Sequence, residues 1–142
     1  RTCIHPAHRG GAVIAVLWSR LAQFMIEEKI DHLIGCASVA LNEGYDVGAI
    51  VARIRERHLS TAECRVVPRL PLQQLSSNEG AGERMPALLK AYLRMGAKVC
   101  GEPCWDPDFN CIDFFILLSV TDLPARYVQH FMHPAPVTQM AV

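Results

Sequence analysis

Apolar positions along the chain fall into segments whose spacing predicts helices alternating with strands. Helices are indicated where apolar residues recur every three or four positions, and strands where short apolar runs are bounded by polar or turn-forming residues. The predicted helices are 12–29, 44–58, 86–95 and 123–132. The predicted strands are 2–5, 32–39, 64–69, 97–101 and 112–120, and the last two form a hairpin around a loop at 102–110.

The order of these elements favours an α/β (α+β) fold built on one mixed sheet. Strand, helix, strand and helix followed by a late hairpin predict a sheet that is parallel in its first part. The helix at 12–29 is apolar on nearly all sides, so we expect it to be mostly buried and packed on this sheet. Residues 72–84 are rich in serine, asparagine and glycine and predict a flexible loop, and we expect a disordered tail at 134–142.

The composition is that of an ordinary globular domain, with 51% hydrophobic and 20% charged residues in 142. The 14 basic residues balance the 14 acidic ones, which argues against a general nucleic-acid binder. No apolar run reaches the length of about 20 residues that a membrane-spanning helix needs, and no signal-peptide pattern opens the chain. We therefore expect a cytoplasmic protein. Because the chain opens at Arg1 inside a predicted strand, we also expect residues to be missing upstream.

The cysteines and histidines do not form a recognisable ligand pattern. Six cysteines are present: Cys3, Cys36, Cys64, Cys100, Cys104 and Cys111. None has the Cys-x-x-Cys spacing, so we expect reduced thiols, and those in apolar segments, Cys36 among them, should pack as small hydrophobes. His5 with His8, and His130 with His133, have the spacing of paired metal ligands but lack a nearby third ligand, so no metal site is predicted.

The sharpest motif is the turn Arg9-Gly10-Gly11, which ends a predicted strand and starts the long apolar helix. The first N–H groups of a helix have no internal partner and favour an anion such as phosphate. Glycine lets the backbone approach that anion closely, and Arg9 can add a charge-assisted hydrogen bond. The alternative is an ordinary strand-to-helix turn, since neither the Rossmann nor the Walker glycine pattern is present.

This turn resembles the donor-binding segment of GNAT-fold acyltransferases, in which Arg/Gln-x-x-Gly-x-Gly/Ala wraps the pyrophosphate of coenzyme A or the phosphate of phosphopantetheine. The spacing here is compressed, with Ala12 or Val13 near the place of the second glycine. More specifically, the chain resembles the bacterial L-ornithine N-alpha-acyltransferases, the "hemolysin-like" family of ornithine lipid biosynthesis. The matching segments are 1–6 with 9–11, 33–38 (LIGCAS), 89–97 (LKAYLRMGA) and 101–110 (GEPCWDPDFN), of which the last is the most specific. The family's N-terminal elements are absent, so residues 1–133 are expected to be the C-terminal portion of one GNAT-like domain.

The resemblance implies an N-acyltransferase of lipid metabolism. It would move a 3-hydroxyacyl chain from acyl carrier protein, or from acyl-CoA, to the α-amine of ornithine by direct attack on the thioester, with no tightly bound cofactor. Acyl carrier protein and ornithine would be the partners, and a lipid product would bring peripheral contact with the inner face of the membrane. The alternatives are an acetyl-CoA-dependent N-acetyltransferase, an acyl-homoserine-lactone synthase-like enzyme, and a non-catalytic acyl-carrier-binding domain.

The resemblance also implies which residues contact the acyl donor. The phosphate would be held by Arg9, Gly10, Gly11, Ala12 and Val13. Cys36, Ala37 and Ser38 would lie beside the thioester arm, with backbone N–H groups meeting the oxyanion. From the residues alone, a serine at this position more often only ends the pairing of a strand.

Acceptor chemistry is expected in the loop at 102–110. Asp108 and Glu102 are the acid/base candidates, because the α-amine must lose a proton to react. Asp106, Trp105 and Asn110 are the candidate substrate contacts. The alternative is a loop stiffened by side-chain turns at Asp106 and Asp108 and held by Asn110. A separate set of basic residues either docks an acidic carrier protein or forms a solvated helix face: Arg53, Arg55, Arg57 and Arg65.

Overall fold

The computed structural model of the chain describes residues 5–8, 11–73 and 84–125, which belong to two compact units. The first unit, residues 1–31 with 123–142, contains a 3-10 turn at Pro6–His8 and helix α1 (Gly11–Glu27). The second unit, residues 32–122, contains the sheet and two helices. Its elements are β1 (His32–Ala40), α2 (Val47–Arg57), α3 (Ala87–Arg94), β2 (Lys98–Val99), β3 (Cys104–Asp106) and β4 (Cys111–Ser119).

Helix α1 forms where the sequence predicts it, but its burial is less complete than expected. Met25 is buried, whereas Val16 and Phe24 are 59% and 50% exposed, so the expectation of a mostly buried helix is wrong for these side chains. The helix ends at Glu27, and Lys29, two residues later, has a left-handed φ of 54°. The Ile30 N–H donates to the Met25 carbonyl oxygen at 2.8 Å. This is a Schellman ending, which satisfies the last carbonyls of a helix. None of the described helices is long and apolar enough to cross a membrane.

The described strands form one antiparallel open sheet in the order β1-β4-β2, with β3 also paired to β4. β1 and β4 pair along nine residues, from His32 opposite Ser119 to Ala40 opposite Cys111. The expectation of a parallel first part is therefore wrong for the described strands. It assumed that consecutive strands are neighbours, whereas the last strand inserts between β1 and β2. The architecture is a mixed α/β arrangement compatible with a GNAT-like fold.

Both helices of the second unit contribute to a single core with one face of the sheet. Val39 of β1 and Ile112 and Phe114 of β4 have no exposed surface. The helix residues in this core are Val47, Ile50, Val51 and Ile54 of α2 and Leu89 and Leu93 of α3. Successive side chains of a strand point to opposite faces, so the alternate residues of β1 and β4 lie on the other face. We call this other face the outer face; it carries Ile34, Cys36 and Ser38 of β1 and Asp113, Phe115 and Leu117 of β4.

Two segments differ from their predictions. Residues 64–69 are not a strand, because the chain makes a 3-10 turn at Ala62–Cys64 and then runs extended with only single backbone bonds to its neighbours. Pro68 has no N–H to donate to a ladder. The predicted loop at 102–110 contains the short strand β3. The predicted strand at 2–5, the tail at 134–142 and most of the flexible loop and the last helix lie outside the described residues.

Candidate active site

The β3–β4 hairpin is shaped by two residues of the 101–110 segment. The Asp106 carboxylate accepts a hydrogen bond from the Phe109 N–H at 3.1 Å, which closes the turn. Asn110 has a φ of 48°, a left-handed conformation that asparagine tolerates better than most residues. Its main-chain carbonyl oxygen accepts from the Leu41 N–H at 3.0 Å. Asp106 therefore has the loop-forming role that the residues alone suggested, whereas Asn110 contributes to the loop through its main chain, and Asp108 is exposed within the same turn.

A row of three side chains crosses the outer face where β1, β4 and β3 lie side by side. Asp113 of β4 is directly opposite Ser38 of β1 and directly opposite Cys104 of β3. The Ser38 hydroxyl donates to Asp113 Oδ1 at 2.5 Å. Sequence reasoning missed Asp113, although a lone carboxylate in an otherwise apolar strand is a usable signal. Ser38, which was predicted to contact the acyl donor, is therefore hydrogen-bonded to Asp113, which lies outside the predicted motif segments.

A second carboxylate, that of Asp106, lies near Asp113 in the next row of side chains on the outer face. Asp106 of β3 is opposite Cys111 of β4. One ligand-type atom each of Asp106, Cys111 and Asp113 lies within 4.8 Å of the other two. The Cys111 thiol is 3.9 Å from Asp113 Oδ1. Two carboxylates this close attract a cation, and both a metal ion and an alkylammonium group have the required charge.

Cys36 lies on the outer face two residues before Ser38, opposite Phe115. The expectation that Cys36 packs as a small core hydrophobe is wrong, because strand alternation gives the core positions to Ala37 and Val39 and leaves Cys36 exposed. Partial burial of its sulfur, followed by the nearby Asp113 and Cys104, raises the pKa of the Cys36 thiol. A neutral thiol is a poor nucleophile, so this arrangement does not favour an acyl-cysteine. Ala37 is only 2% exposed, so contact from the outer face would reach its backbone and not its side chain.

The remaining loop candidates do not join this cluster. Both carboxylate oxygens of Glu102 are held by Arg55 of α2, at 2.9 and 2.7 Å, with the two side chains each 49% exposed. That ion pair raises the pKa of the Arg55 guanidinium, through the hydrogen bond to Glu102 first. Trp105 is opposite Ile112 and is therefore on the core-facing side of β3, where it is 42% exposed. Of the predicted acidic residues, only Asp106 lies beside Asp113.

The glycine turn is described only from its last residue. Arg9 and Gly10 lie outside the described residues. Gly11 is the first residue of α1, and Ala12 and Val13 follow in its first turn. The N–H groups of a first turn have no partner within the helix, which is the feature that phosphate binding requires.

Several of the basic residues near α2 are engaged in local contacts. Arg57 pairs with Glu56 at 3.1 Å, and Arg65 donates to the Ser60 carbonyl oxygen at 2.9 Å. Arg55 is held by Glu102 in the same way. These local contacts of Arg55, Arg57 and Arg65 favour a solvated surface over a docking site for an acidic carrier protein.

Comparison with known proteins finds one consistent group of relatives. A protein of Rhodobacter capsulatus named L-ornithine N(alpha)-acyltransferase is 31% identical over 140 residues, covering 92% of this chain and 53% of the relative. Proteins of the same name from Brucella abortus and Agrobacterium fabrum are 27% and 26% identical, with 50% and 47% of their lengths covered. The chain is similar to the L-ornithine N(alpha)-acyltransferases. The resemblance drawn from the motifs is thereby confirmed.

The similarity covers only part of each relative. The chain spans about half the length of the curated relatives it matches. No family model matches the chain. No solved structure gives a significant match either.

Proposed function

We propose that this chain is part of an N-acyltransferase that moves a 3-hydroxyacyl chain from acyl carrier protein to the α-amine of ornithine, giving lyso-ornithine lipid. The observation that carries the proposal is the similarity along 92% of the chain to proteins named for this reaction. The pair of carboxylates on the outer face supports it, because the acceptor is cationic. Work at the inner face of the membrane follows from a lipid product and is part of the proposal.

On the donor side, we assign the phosphate of phosphopantetheine to Arg9, Gly10 and the first turn of α1, Gly11 to Val13. We assign the thioester arm to the backbone at Cys36–Ser38. Within the described residues, β1 pairs with a strand on one side only, so its second edge offers backbone groups to an extended ligand. Acyl carrier protein is preferred over coenzyme A on the basis of the family resemblance.

On the acceptor side, the reaction needs a group that binds an ammonium and takes its proton. The family motif points to Asp108 or Glu102, with Asp106, Trp105 and Asn110 as substrate contacts. Glu102 is a weaker candidate for the acid/base role than Asp108, because proton transfer to Glu102 would have to disturb its bidentate ion pair with Arg55. Asp108 is exposed in the hairpin turn and is accessible to a substrate.

A comparison of three acyl donors tests this proposal. The protein expressed from its complete open reading frame is incubated with ornithine and, in parallel, 3-hydroxyacyl-carrier protein, 3-hydroxyacyl-CoA or acetyl-CoA, and thiol release is followed. We expect release with the carrier-protein thioester and a loss in Arg9→Ala that appears mainly as a higher KM for the donor. Release with acetyl-CoA alone would contradict the donor assignment and favour an N-acetyltransferase.

A second arm tests the acid/base assignment within the motif. Asp108→Asn is compared with Asp31→Asn, an exposed aspartate of the other unit. Loss of a general base lowers the rate by about 100-fold or more, so a smaller effect in Asp108→Asn would remove that role from Asp108.

A further inference from the structure

We propose that Asp113, oriented by Ser38, is the residue that binds the acceptor's ammonium group and takes its proton. The inference rests on the proposed function, since it assigns a residue to that reaction. It shifts the acid/base role from the hairpin turn to the centre of the sheet.

The position of Asp113 in the sheet favours this role. Asp113 lies on β4, which pairs with β1, β2 and β3 and is therefore the most constrained strand of the sheet. Catalytic groups on such elements are held more precisely than groups on loops. Asp108, by contrast, is exposed in a turn.

The hydrogen bond from Ser38 orients the Asp113 carboxylate. Ser38 is directly opposite Asp113, and its hydroxyl donates to Oδ1. The thiol of Cys111 also lies 3.9 Å from Oδ1. Both contacts are made to Oδ1, so neither of them occupies the second oxygen, Oδ2, which can bind a ligand. Ser38 is thus a positioning residue, and Asp113 is the group that touches the amine.

An ammonium group fits between Asp113 and the neighbouring carboxylate of Asp106. A charge-assisted N–H···O bond is about 2.8 Å long and the N–H bonds of an ammonium diverge at the tetrahedral angle, so one ammonium bridges two oxygens about 4.6 Å apart. One side-chain oxygen of Asp113 and one of Asp106 lie within 4.8 Å of each other. One nitrogen can therefore contact both carboxylates, with Asp106 helping to bind and Asp113 closer to the proposed donor segment on β1.

The reaction balances without any further reagent. The ammonium group gives one proton to the Asp113 carboxylate and becomes a neutral amine. Its nitrogen attacks the thioester carbonyl carbon, so that a C–N bond forms and the C–S bond breaks. The nitrogen loses a second proton and the leaving thiolate gains one, so the products are an amide, a thiol and one proton released to solvent. Asp113 is only half-buried and can return its proton to water.

The test compares Asp113→Asn with Asp108→Asn in the protein expressed from its complete open reading frame. Asparagine keeps the shape of the side chain and can still accept from Ser38. We expect kcat/KM for ornithine to fall by about 100-fold or more in Asp113→Asn, while KM for the acyl donor stays within a factor of two of the wild-type value. Asp31→Asn is the matched control and should behave as wild type, whereas a loss in Asp108→Asn that equals or exceeds the loss in Asp113→Asn would overturn the inference.

Ser38 is tested on the same face of the sheet. Ser38→Ala should lower kcat about tenfold with little change in KM for the donor, and Ser38→Thr, which keeps the hydroxyl, should restore most of the rate. Ser119→Ala is the matched control, because Ser119 lies at the far end of the same strand pair, opposite His32. A purely structural role for Ser38 would instead lower the melting temperature without this hydroxyl-specific rescue.

A binding measurement separates this inference from the proposed function. Ornithine affinity is measured by calorimetry without donor, so it does not depend on turnover. Weaker ornithine binding in Asp113→Asn supports the assignment even if the wild type transfers no acyl group, which would sink only the proposed function. Turnover and affinity within threefold of wild type in Asp113→Asn, or ornithine that does not bind the wild type at all, would overturn the inference.

Discussion

Of the glycines 35, 44, 96 and 101 in the described part of the chain, Gly101 is the one where an added methyl group would meet its neighbour most closely. Its φ is +153°, and a Cβ built there would lie 2.4 Å from the Val66 carbonyl oxygen. Ordinary van der Waals contact begins near 3.4 Å, so the two backbone segments would have to separate by about 1 Å. Such a movement opposes the hydrogen bond that the Val66 N–H donates to the Cys100 carbonyl oxygen at 2.6 Å.

The expected cost of Gly101→Ala follows from these two contacts. An unfavourable backbone conformation costs about 1–3 kcal/mol. A weakened backbone hydrogen bond adds about 0.5–1.5 kcal/mol. We therefore expect a loss of about 2–4 kcal/mol in the free energy of unfolding.

Urea unfolding of Gly101→Ala and Gly35→Ala measures this difference directly. With an m value of about 2 kcal/mol/M, the midpoint of Gly101→Ala should fall by about 1–2 M. At Gly35 no atom lies within 4 Å of the position that a Cβ would take, and φ is not positive, so the alanine variant should be as stable as wild type or gain about 0.4–1 kcal/mol. A Gly101→Ala midpoint within the error of the wild-type value would refute the close-approach argument.

Three further predictions concern the contacts around α2. Asp46→Ala removes the cap that accepts from the Ala49 N–H at 2.8 Å, and should cost about 1 kcal/mol in urea unfolding. The exposed Arg55–Glu102 pair should show a coupling of only about 0.3–1 kcal/mol in a double-mutant cycle, and 1 M salt should reduce it. Burial, followed by the positive charges of nearby basic side chains, lowers the pKa of His58 below 6.5 in the folded state. As the pH falls below 6.5, the unfolded chain binds a proton at His58 more readily than the folded chain does, so the free energy of unfolding should decrease. In His58→Gln, the difference in the free energy of unfolding between pH 7.5 and pH 5.5 should be smaller than in wild type.

The local elements were predictable because their signals are local. The apolar stripe of α2, with Val47, Ile50 and Ile54 at helical spacing, is buried as its spacing indicates. The strand predicted at 112–120 is observed at Cys111–Ser119. Both predictions needed only the periodicity of apolar residues within a single element.

The arrangement of strands was not predictable from those signals. Periodicity does not tell which strands are neighbours, and the insertion of β4 between β1 and β2 replaces the expected parallel pairing. β3 was not predicted because it is three residues long and lies between Pro103 and Pro107, which mark turns in a sequence. Its position nevertheless brings Asp106 to the outer face.

The Ser38–Asp113 pair shows the same limit at the level of side chains. The two residues are 75 positions apart, and only the register of β1 against β4 makes them direct neighbours. A shift of one residue would turn one of the two side chains to the core face. The sequence offered a serine at the end of one apolar strand and a carboxylate in another, but not the fact that they meet.

The most direct measurement of the central claim is the identity of the acylated nitrogen. The protein expressed from its complete open reading frame is given 3-hydroxyacyl-carrier protein and ornithine labelled with ¹⁵N at the α position, and the product is fragmented by mass spectrometry. The account predicts an amide whose nitrogen carries the label and whose mass is that of the lyso-lipid. An amide on the unlabelled side-chain nitrogen, or no amide from this donor and acceptor, would contradict it.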